Sequence, residues 1–215
     1  MINYLKNNPD TVGEWFFAHV WLSVLPVVLG LLVALPIGWV ASHYRWTYPP
    51  ITNLAGLLYT IPSLALFILM PSILGTKILS PVNMVVALTI YSVALLVRVV
   101  ADGLNSVSPD VRAAATAMGF TGIGRFLKVD LPIAVPVITA GVRVATVSNV
   151  SLVSVGALIG LPQLGSLFTT GFTRYVTGIV LLGIVLCLVL ALVLDALIVV
   201  GNRFLTPWQR AVAKR

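Results

Sequence analysis

Long apolar runs, separated by short polar stretches, dominate the pattern of this 215-residue chain. A helix needs about 20 apolar residues to cross the hydrocarbon core of a bilayer. The runs that meet this length cover residues 15–42, 51–74, 81–105, 132–158 and 176–200. The pattern therefore predicts an all-α integral membrane protein with about five transmembrane helices, which form one transmembrane domain over residues 1–215.

Prolines interrupt the first two runs, and a short semi-apolar stretch precedes the last one. Pro26 and Pro36 lie inside the first run, and Pro62 and Pro71 lie inside the second. Both spans are therefore expected to kink. The stretch "GLPQLGSLFTTGFTRY" (160–175) is too short to span. We expect a short re-entrant or interfacial helix there, buried against protein or water, because lipid does not tolerate free backbone polar groups.

The longest polar interruption covers residues 106–131. Ser108 can cap a helix, Pro109 suits its first turn, and Asp110 favours its positive end. Gly119 can end that helix in a left-handed conformation. We therefore predict two short helices joined by a turn.

The first of these short helices carries small side chains. Ala113, Ala114 and Ala117 are spaced to share a face that another protein can approach closely. A simple connector between two spans is the alternative. Because a connector needs neither helix caps nor a face of small residues, we favour the docking of a partner protein.

Composition and charge agree with a membrane environment. Hydrophobic residues make up 59% of the chain and charged residues 9%, against about 25% charged residues in a soluble domain. The net charge of +7 does not indicate a nucleic-acid partner, because basic residues of membrane proteins gather on the cytoplasmic side whatever their function. Membrane lipid is therefore the expected surrounding, and no nucleic acid is expected.

The basic residues also predict the orientation of the chain. Five spans place the two termini on opposite sides of the membrane, and cytoplasmic segments carry the excess of Lys and Arg. We therefore expect the C-terminus and residues 106–131 in the cytoplasm and the N-terminus outside. One side carries Arg45, Arg112, Arg125, Lys128, Arg203, Arg210, Lys214 and Arg215, and the other carries Lys6, Lys77 and Arg174.

Residues 113–132 resemble the cytoplasmic loop of the permease subunits of binding-protein-dependent ABC importers. The pattern of that family is Glu-Ala-Ala, three residues, Gly, nine residues and Ile-x-Leu-Pro. The chain matches it at Ala114, Ala115, Gly119, Val129, Leu131 and Pro132, and it carries Ala113 at the position of the Glu. The resemblance implies that residues 106–131 form a coupling loop in a groove of an ATPase subunit. The implied coupling residues are Ala113, Ala114, Ala115, Gly119, Leu131 and Pro132.

The same resemblance implies the partners of the chain. They are two ATPase subunits, a second permease subunit and an extracytoplasmic substrate-binding protein, in the cell membrane of a bacterium or archaeon. The second permease is either the same chain or a paralogue, and a paralogue could supply the Glu that Ala113 replaces. The chain itself is expected to bind no cofactor and no metal, since ATP and Mg²⁺ belong to the partner ATPase.

Three other stretches resemble the glycine betaine/carnitine/choline group of permeases. They are "LLYTIPSLALF" (57–67), "VRVVADGLNSVSPD" (97–110) and "LPIAVPVITAGVRVATV" (131–147), within a resemblance over about residues 15–203. The implied function is ATP-driven import of osmoprotectants such as glycine betaine, choline, carnitine or proline. Another small zwitterion or an amino acid is the alternative substrate. A self-sufficient carrier or channel is a different class, disfavoured because the five spans contain no internal repeat.

Catalytic chemistry is not indicated. The glycines of "GFTGIGRF" (119–126) are spaced like those of a phosphate-binding loop, but Arg125 and Phe126 replace its Lys and Ser/Thr. His19 and His43 lie near opposite ends of the first span, too far apart for a metal site. We therefore expect a transport subunit rather than an enzyme.

Charged residues inside the predicted spans are candidates for function, because charge in lipid is costly and usually paired or functional. Arg98 lies at a depth similar to that of Asp195, and it also precedes Asp102 by four residues. Pairing across helices and pairing within one helix both stay open. We expect Arg98, Asp102 and Asp195 to contribute an intramembrane charge pair, with substrate contact by Arg98 as the alternative.

Further polar residues are candidates for the translocation path. Pro62 is expected to free a backbone carbonyl, as broken helices near transport sites do. Polar residues of the fourth span can line a path or join helices by hydrogen bonds, and both remain open. The path candidates are Tyr59, Thr60, Pro62, Ser63, Arg143, Ser148 and Asn149.

Overall fold

The computed structural model describes the backbone of residues 2–208 and the side chains of residues 4–208. Within these residues helices are the regular elements, and no strand occurs. Arg210, Lys214 and Arg215, which contribute to the predicted orientation, lie outside the described residues. The α-helices are α1 (Ile2–Asn7), α2 (Pro9–His43), α3 (Tyr48–Thr60), α4 (Ser63–Leu74), α5 (Pro81–Asn105), α6 (Pro109–Ala117), α7 (Gly122–Arg125), α8 (Leu131–Val155), α9 (Ser166–Thr173) and α10 (Thr177–Leu205).

Four of the described helical segments are long and apolar enough to cross a membrane. They are α2, α5, α10 and the continuous segment Gly122–Ile159, which contains α7 and α8. A fifth span results if α3 and α4 are counted together. The prediction of an all-helical membrane protein with about five spans is therefore confirmed.

The predicted second span, residues 51–74, is not one straight helix. α3 ends at Thr60 and α4 begins at Ser63, with a bend of 98° between them. Ile61 and Pro62 between the two helices are extended, with ψ of 131° and 127°. The break has a local cause, because proline lacks a backbone N–H and disfavours a helical residue before it.

The second short helix of the coupling loop also differs from the expectation. α7 is not a separate short helix but continues through a π-turn, Phe126–Asp130, into α8. The Leu131 N–H donates to the carbonyl of Phe126, five residues earlier. This wider turn immediately precedes Pro132, which has no N–H to continue the helical ladder.

α5 is the centre of the bundle, since it packs against both α2 and α8. The helices approach closely where glycine faces valine. A Cβ on Gly38 of α2 would lie 2.6 Å from Val100 Cγ1, which is too close for any side chain. A Cβ on Gly141 of α8 would lie 2.5 Å from Val99 Cγ1. The backbones of α2 and α8 therefore lie directly against side chains of α5. The core between these helices includes Val27, Ala34, Leu96, Val97, Val100, Leu104, Ala134, Ile138 and Ala145.

The segment before the last span folds back against the bundle. A 3₁₀ turn, Gly156–Ile159, ends α8, and the short helix α9 packs on the start of α10. Leu164 and Leu167 are fully buried there among residues of α2, α8 and α10. This arrangement agrees with the expected short helix that is packed against protein rather than lipid.

Candidate functional site

The coupling loop, residues 106–131, begins with the predicted helix caps. The Asp110 N–H donates to Ser108 Oγ at 3.3 Å, and Pro109 occupies the first turn of α6. Gly119 follows the helix with a φ of +87°, a left-handed conformation that favours glycine. The Phe120 N–H then donates to the Ala115 carbonyl at 3.0 Å, which closes the helix end in a Schellman-type arrangement.

The alanines of α6 do not all face the same way. Ala113, Ala114 and Ala117 are exposed, whereas Ala115 is only 1% exposed and packs against the protein itself. The expectation that Ala115 contacts a partner is therefore corrected, because no surface of that residue is available. Its small size instead lets α6 lie close to the bundle.

The end of the coupling loop also contributes more to anchoring than to exposed surface. Leu131 and Pro132 are half-buried. Leu131 and Phe126 pack against the core between α2, α5 and α8. The Trp39 ring lies edge-on to the Phe126 ring, with 6.1 Å between the centroids. The loop is therefore packed onto the end of α2 as well as α8.

A buried carboxylate ties the two halves of the coupling loop together. Asp130 is 6% exposed, and its oxygens lie 3.1 Å from Arg112 Nε and 3.5 Å from Arg125 Nε. Arg112 also donates through Nη2 to the Leu104 carbonyl at 2.6 Å. The cluster thus connects α6, the π-turn and the end of α5. No local sequence signal indicates this cluster, because Arg112 and Asp130 are 18 residues apart.

Large apolar side chains remain uncovered on the same loop. Met118 and Ile123 are each 70% exposed, and Leu127 is 54% exposed. They follow the exposed alanines of α6 in sequence. An apolar surface on a rigid, capped element is typical of a protein–protein contact.

A groove of about 410 Å³ runs between α3 and α5. It begins near the end of α5, where the Tyr48 hydroxyl donates to Asp102 Oδ1 at 2.5 Å. Arg98 lies one turn further along α5, with its Nε 3.7 Å from Asp102 Oδ2. The side chains of Arg98 and Asp102 are 69% and 48% exposed. The lining residues are Thr52, Ala55, Gly56, Tyr59, Ala94, Leu95, Arg98, Val99 and Asp102.

Aromatic and polar side chains close the far end of this groove. The Tyr59 and Tyr91 rings meet edge to face, with 5.8 Å between their centroids. The Tyr91 hydroxyl donates to the Ile61 carbonyl, so the carbonyl at the α3–α4 break has a partner. Thr60 and Pro62, which follow Tyr59 in the chain, are exposed, and Ser63 is half-buried.

Two neighbouring polar residues of α8 have different surroundings. Asn149 is 2% exposed, and its Nδ2 donates to Ser92 Oγ at 3.2 Å and to the Ser23 carbonyl at 3.3 Å. Asn149 therefore joins α2, α5 and α8. Ser148 is half-buried and lies in the packed seam with Tyr59 and Tyr91.

The second intramembrane charge pair joins α8 to α10. Arg143 donates through Nε and Nη2 to the two carboxylate oxygens of Asp195, at 2.6 and 2.8 Å. The pairing of Arg98 with Asp195 does not form, since Arg98 contacts Asp102 on its own helix. Similar depth in the membrane did not decide the partner, because it does not specify which helix faces are adjacent. Arg143 does not line the α3–α5 groove.

A further buried network involves a histidine to which the sequence assigned no role. His19 is 0% exposed. Its Nδ1 lies 3.0 Å from Gln163 Oε1 and its Nε2 lies 2.9 Å from the Val150 carbonyl. These contacts join α2, the end of α8 and the segment before α9. His19 therefore packs the bundle, and its spacing of 131 and 144 residues from its partners left no local signal.

Among residues 4–208, no group of three or more His, Cys, Asp or Glu side chains is placed to hold a metal ion. Cys187 is half-buried within α10, with its Sγ 3.8 Å from Ser154 Oγ.

Comparison with known proteins identifies the family. Residues 26–206 match the family described as "Binding-protein-dependent transport system inner membrane component". The chain is 34% identical to the osmoprotectant import permease protein OsmW of Salmonella typhimurium, over 96% of this chain and 97% of that protein. It is 30% identical to the choline transport system permease protein OpuBB of Bacillus subtilis, over 96% and 94% of the two chains.

Solved structures agree on the fold. A chain of the inward-facing methionine ABC transporter MetNI, in its CY5 native crystal form, superposes with a TM-score of 0.73 at 18% identity. The match covers 87% of this chain and 94% of that one. The chain is therefore a multi-pass permease subunit rather than an enzyme, and it belongs to the family of binding-protein-dependent transport system inner membrane components.

Proposed function

We propose that the chain is the permease of an ATP-driven importer of osmoprotectants such as glycine betaine, choline, carnitine or proline. The observation that carries this proposal is the coupling loop, which presents exposed small and apolar residues on a capped element tied to the spans. The relatives support the substrate class. Besides OsmW and OpuBB, a glycine betaine/carnitine/choline transport system permease protein, OpuCB of Bacillus subtilis, is 28% identical over 96% of this chain.

In this proposal, the coupling loop is the surface that an ATPase subunit holds. Ala113, Ala114 and Ala117 let the ATPase surface approach α6 closely, while Met118 and Ile123 supply apolar contact. Gly119 sets the angle between α6 and α7. Shape complementarity between α6 and the ATPase then takes the place of the carboxylate contact that Ala113 cannot make.

Movement of the loop reaches the spans through two connections. The first is covalent and helical, because α7 continues through the π-turn into α8. The second is the Asp130 cluster, in which Arg112 also holds the Leu104 carbonyl at the end of α5. When ATP closes the partner ATPases, the loop therefore moves α5 and α8 together. Since α5 lines the groove, this movement opens or closes it.

The translocation path follows the α3–α5 groove towards the closed end at Tyr59. Ser148 lies beside Tyr59 at that end, and Thr60, Pro62 and Ser63 follow Tyr59 at the α3–α4 break. Alternating access then requires Tyr59 and Tyr91 to separate. Asn149 stays in its interhelical hydrogen bonds and supports α8 during this movement.

The proposed assembly contains two ATPase subunits that bind ATP and Mg²⁺, a second permease and an extracytoplasmic binding protein. The N-terminus lies outside and the C-terminus in the cytoplasm of a bacterial or archaeal cell. The described basic residues Arg45, Arg112 and Lys128 support this orientation, since they lie at the same end of the bundle as the coupling loop or within it. Thiol labelling tests it. Met118→Cys in a Cys187→Ala background should react with a charged maleimide only after the cells are permeabilised.

Reconstitution tests the function. The permease, its ATPase and its binding protein are assembled in proteoliposomes with ATP, and uptake of labelled glycine betaine, carnitine, choline and proline is measured. We expect uptake that requires both ATP hydrolysis and the binding protein. Uptake without ATP would indicate a self-sufficient carrier, and the absence of uptake for all four compounds would contradict the substrate class.

A matched pair of glycine variants tests the coupling loop. Gly119→Val forces a β-branched residue into a left-handed conformation, at a cost of about 1–2 kcal/mol, whereas a side chain on Gly124 meets open space at an ordinary φ. We expect Gly119→Val to insert normally but to lose ATP-driven uptake, and Gly124→Val to retain most of it. Equal uptake by both variants would contradict the role of Gly119.

A further inference from the structure

We propose that the α3–α5 groove holds a binding subsite for small zwitterions, in which Arg98 binds the carboxylate and the Tyr59 ring binds the ammonium group. This inference rests on the proposed function, because it assigns residues of the permease itself to recognition of the transported compound. The groove volume of about 410 Å³ lies within the range of small-molecule sites, about 300–1,000 Å³.

Arg98 has unused capacity to bind an anion. Its side chain is 69% exposed although it lies within a helix that is apolar enough to span the membrane. Its ion-pair contact with Asp102 is a single 3.7 Å approach of Nε. A guanidinium group carries five N–H donors and binds carboxylates in a two-pronged geometry. Asp102 and the Tyr48 hydroxyl therefore engage only part of the five donors of Arg98.

The position of Arg98 requires water or a ligand at that face. A charged side chain directed at hydrocarbon is costly, and such residues normally face the bundle interior or a water-filled cavity. Arg98 lies among the residues that line the groove, together with Thr52 and Asp102. The Arg98 end of the groove is therefore expected to hold water or a ligand, while most of the remaining lining is apolar.

Tyr59 provides a suitable surface for the other end of the ligand. Its ring is held edge to face by Tyr91 at 5.8 Å, and the residue is 44% exposed at the groove. A quaternary ammonium group has no N–H to donate, so it binds to aromatic faces by electrostatic attraction. Tyr59 can therefore bind the trimethylammonium group that glycine betaine, carnitine and choline share.

The spacing between the two groups suits a molecule with separated charges. Arg98 and Tyr91, the ring partner of Tyr59, are seven residues apart on α5, which is about 10 Å along the helix axis. The side chain of Arg98 covers part of this distance. Gly56 lies between them on α3, and a Cβ built there meets nothing within 4 Å. The intervening wall therefore leaves room for a ligand.

Asp102 and Tyr48 act as positioning residues in this subsite. The Tyr48 hydroxyl donates to Asp102 Oδ1 at 2.5 Å, and Asp102 Oδ2 faces Arg98. Their contacts restrict the rotamers of the Arg98 side chain, which an exposed arginine otherwise samples freely. The carboxylate of the ligand thus meets an oriented guanidinium group.

Substrates that differ in one charged group test the assignment. The permease with its ATPase and binding protein is reconstituted, and uptake of glycine betaine and choline is measured in competition. Choline has the ammonium group but no carboxylate. We expect Arg98→Gln to lower the ratio of glycine betaine to choline uptake by roughly tenfold or more, the loss expected for a charged hydrogen bond. Arg98→Lys should recover part of that ratio.

The aromatic half of the subsite has its own test. Proline carries a carboxylate and an ammonium group with N–H donors. We expect Tyr59→Leu to lower the uptake of glycine betaine relative to proline severalfold, and Tyr59→Phe to retain the wild-type ratio, since the ring remains. Ratios are independent of the amount of folded protein, so a variant that inserts poorly remains informative.

The outcomes separate the two proposals. Equal loss of glycine betaine and choline uptake in Arg98→Gln, or no loss of either, overturns the subsite, because only carboxylate binding distinguishes the two compounds. A wild-type transporter that imports neither compound contradicts the proposed function instead. Arg143→Gln is the matched control, since it removes an arginine from a span outside the groove, and it should leave the ratio unchanged.

Discussion

Two arginine–aspartate pairs lie in the spans of this permease, and their geometries differ. Arg143 and Asp195 join two helices through two short hydrogen bonds, at 2.6 and 2.8 Å. Arg98 and Asp102 lie on one helix and approach only to 3.7 Å. In the first pair, both carboxylate oxygens of Asp195 accept hydrogen bonds from the Arg143 guanidinium group. In the second pair, the arginine remains available to another anion.

The presence of charge in a span therefore does not by itself identify a transport site. The α8–α10 pair satisfies its own charges by a two-pronged contact, which suits a structural connection between spans. The α5 pair is more exposed. The side chains of Arg98 and Asp102 are 69% and 48% exposed, whereas those of Arg143 and Asp195 are 44% and 27% exposed. It also lies in a groove with a tyrosine ring. Geometry and surroundings together, rather than residue type, distinguish the two roles.

The largest effect is expected from breaking the interhelical pair on one side. Asp195→Asn leaves the Arg143 guanidinium without its counter-charge within the membrane-spanning region, so α8 and α10 should separate more easily. We expect a marked loss of folded protein in detergent, measured by size-exclusion chromatography and thermal unfolding. The loss should affect uptake of all substrates equally.

A double variant controls this prediction. Arg143→Gln combined with Asp195→Asn removes both charges and allows a neutral hydrogen bond between the side chains. It should be more stable than either single variant, since no unpaired charge remains. A double variant that loses the sum of the two single effects would show that the pair does not act as a unit.

A third carboxylate extends the comparison to the coupling loop. Asp130→Asn leaves Arg112 and Arg125 close together without their shared anion. Breaking a fully buried ion pair costs about 3–5 kcal/mol, and we expect about 2 kcal/mol here, because the arginine side chains keep 31% and 26% of their surface exposed. Uptake should fall by more than the loss of folded protein explains. The ATPase activity should no longer be stimulated by the binding protein. Fully coupled uptake would contradict the proposed connection.

Arg98→Gln should change substrate selectivity and leave stability nearly unchanged, which is the opposite of the result expected for Asp195→Asn. The exposed side chain contributes little packing, so the temperature of unfolding should stay near that of the wild type. The effect should instead be confined to substrates with a carboxylate. A strongly destabilised Arg98→Gln variant would place this pair in the same structural class as Arg143 and Asp195.

The smallest effect is expected at Tyr48. Tyr48→Phe removes one hydroxyl donor to Asp102 and leaves the ring and both charges in place. Because the variant loses one neutral hydroxyl and keeps the Arg98–Asp102 pair, we expect a decrease of about two- to fivefold in glycine betaine uptake. Choline uptake is the internal reference and should not change.

The sequence predicted the elements better than their contacts. Apolar runs and helix caps are local, and the third predicted span, 81–105, coincides with α5, Pro81–Asn105. The left-handed turn at Gly119 was predicted from glycine itself. The break at Pro62 was expected as a kink, but the 98° bend depends on how α4 packs against the bundle, and no local rule specifies that angle.

The candidate site was less accessible to sequence reasoning, because its geometry arises from long-range packing. Arg143 and Asp195 are 52 residues apart, and His19 and Gln163 are 144 apart. Which helix faces meet depends on close contacts such as that of Gly141 with Val99. The orientation of Ala115 towards the bundle also depends on how α6 is docked. Spacing along the chain contains none of this information.

Substrate-protected alkylation of the groove tests the central claim most directly. Gly56→Cys in a Cys187→Ala background places a thiol in open space on the groove wall. Val144→Cys is the control, since Val144 is 56% exposed but does not line the groove. We expect a charged thiol reagent to modify Gly56→Cys in the assembled transporter, and substrate delivered by the binding protein to slow that reaction, with Val144→Cys unreactive. An unreactive Gly56→Cys, or equal reaction with and without substrate, would contradict a substrate path between α3 and α5.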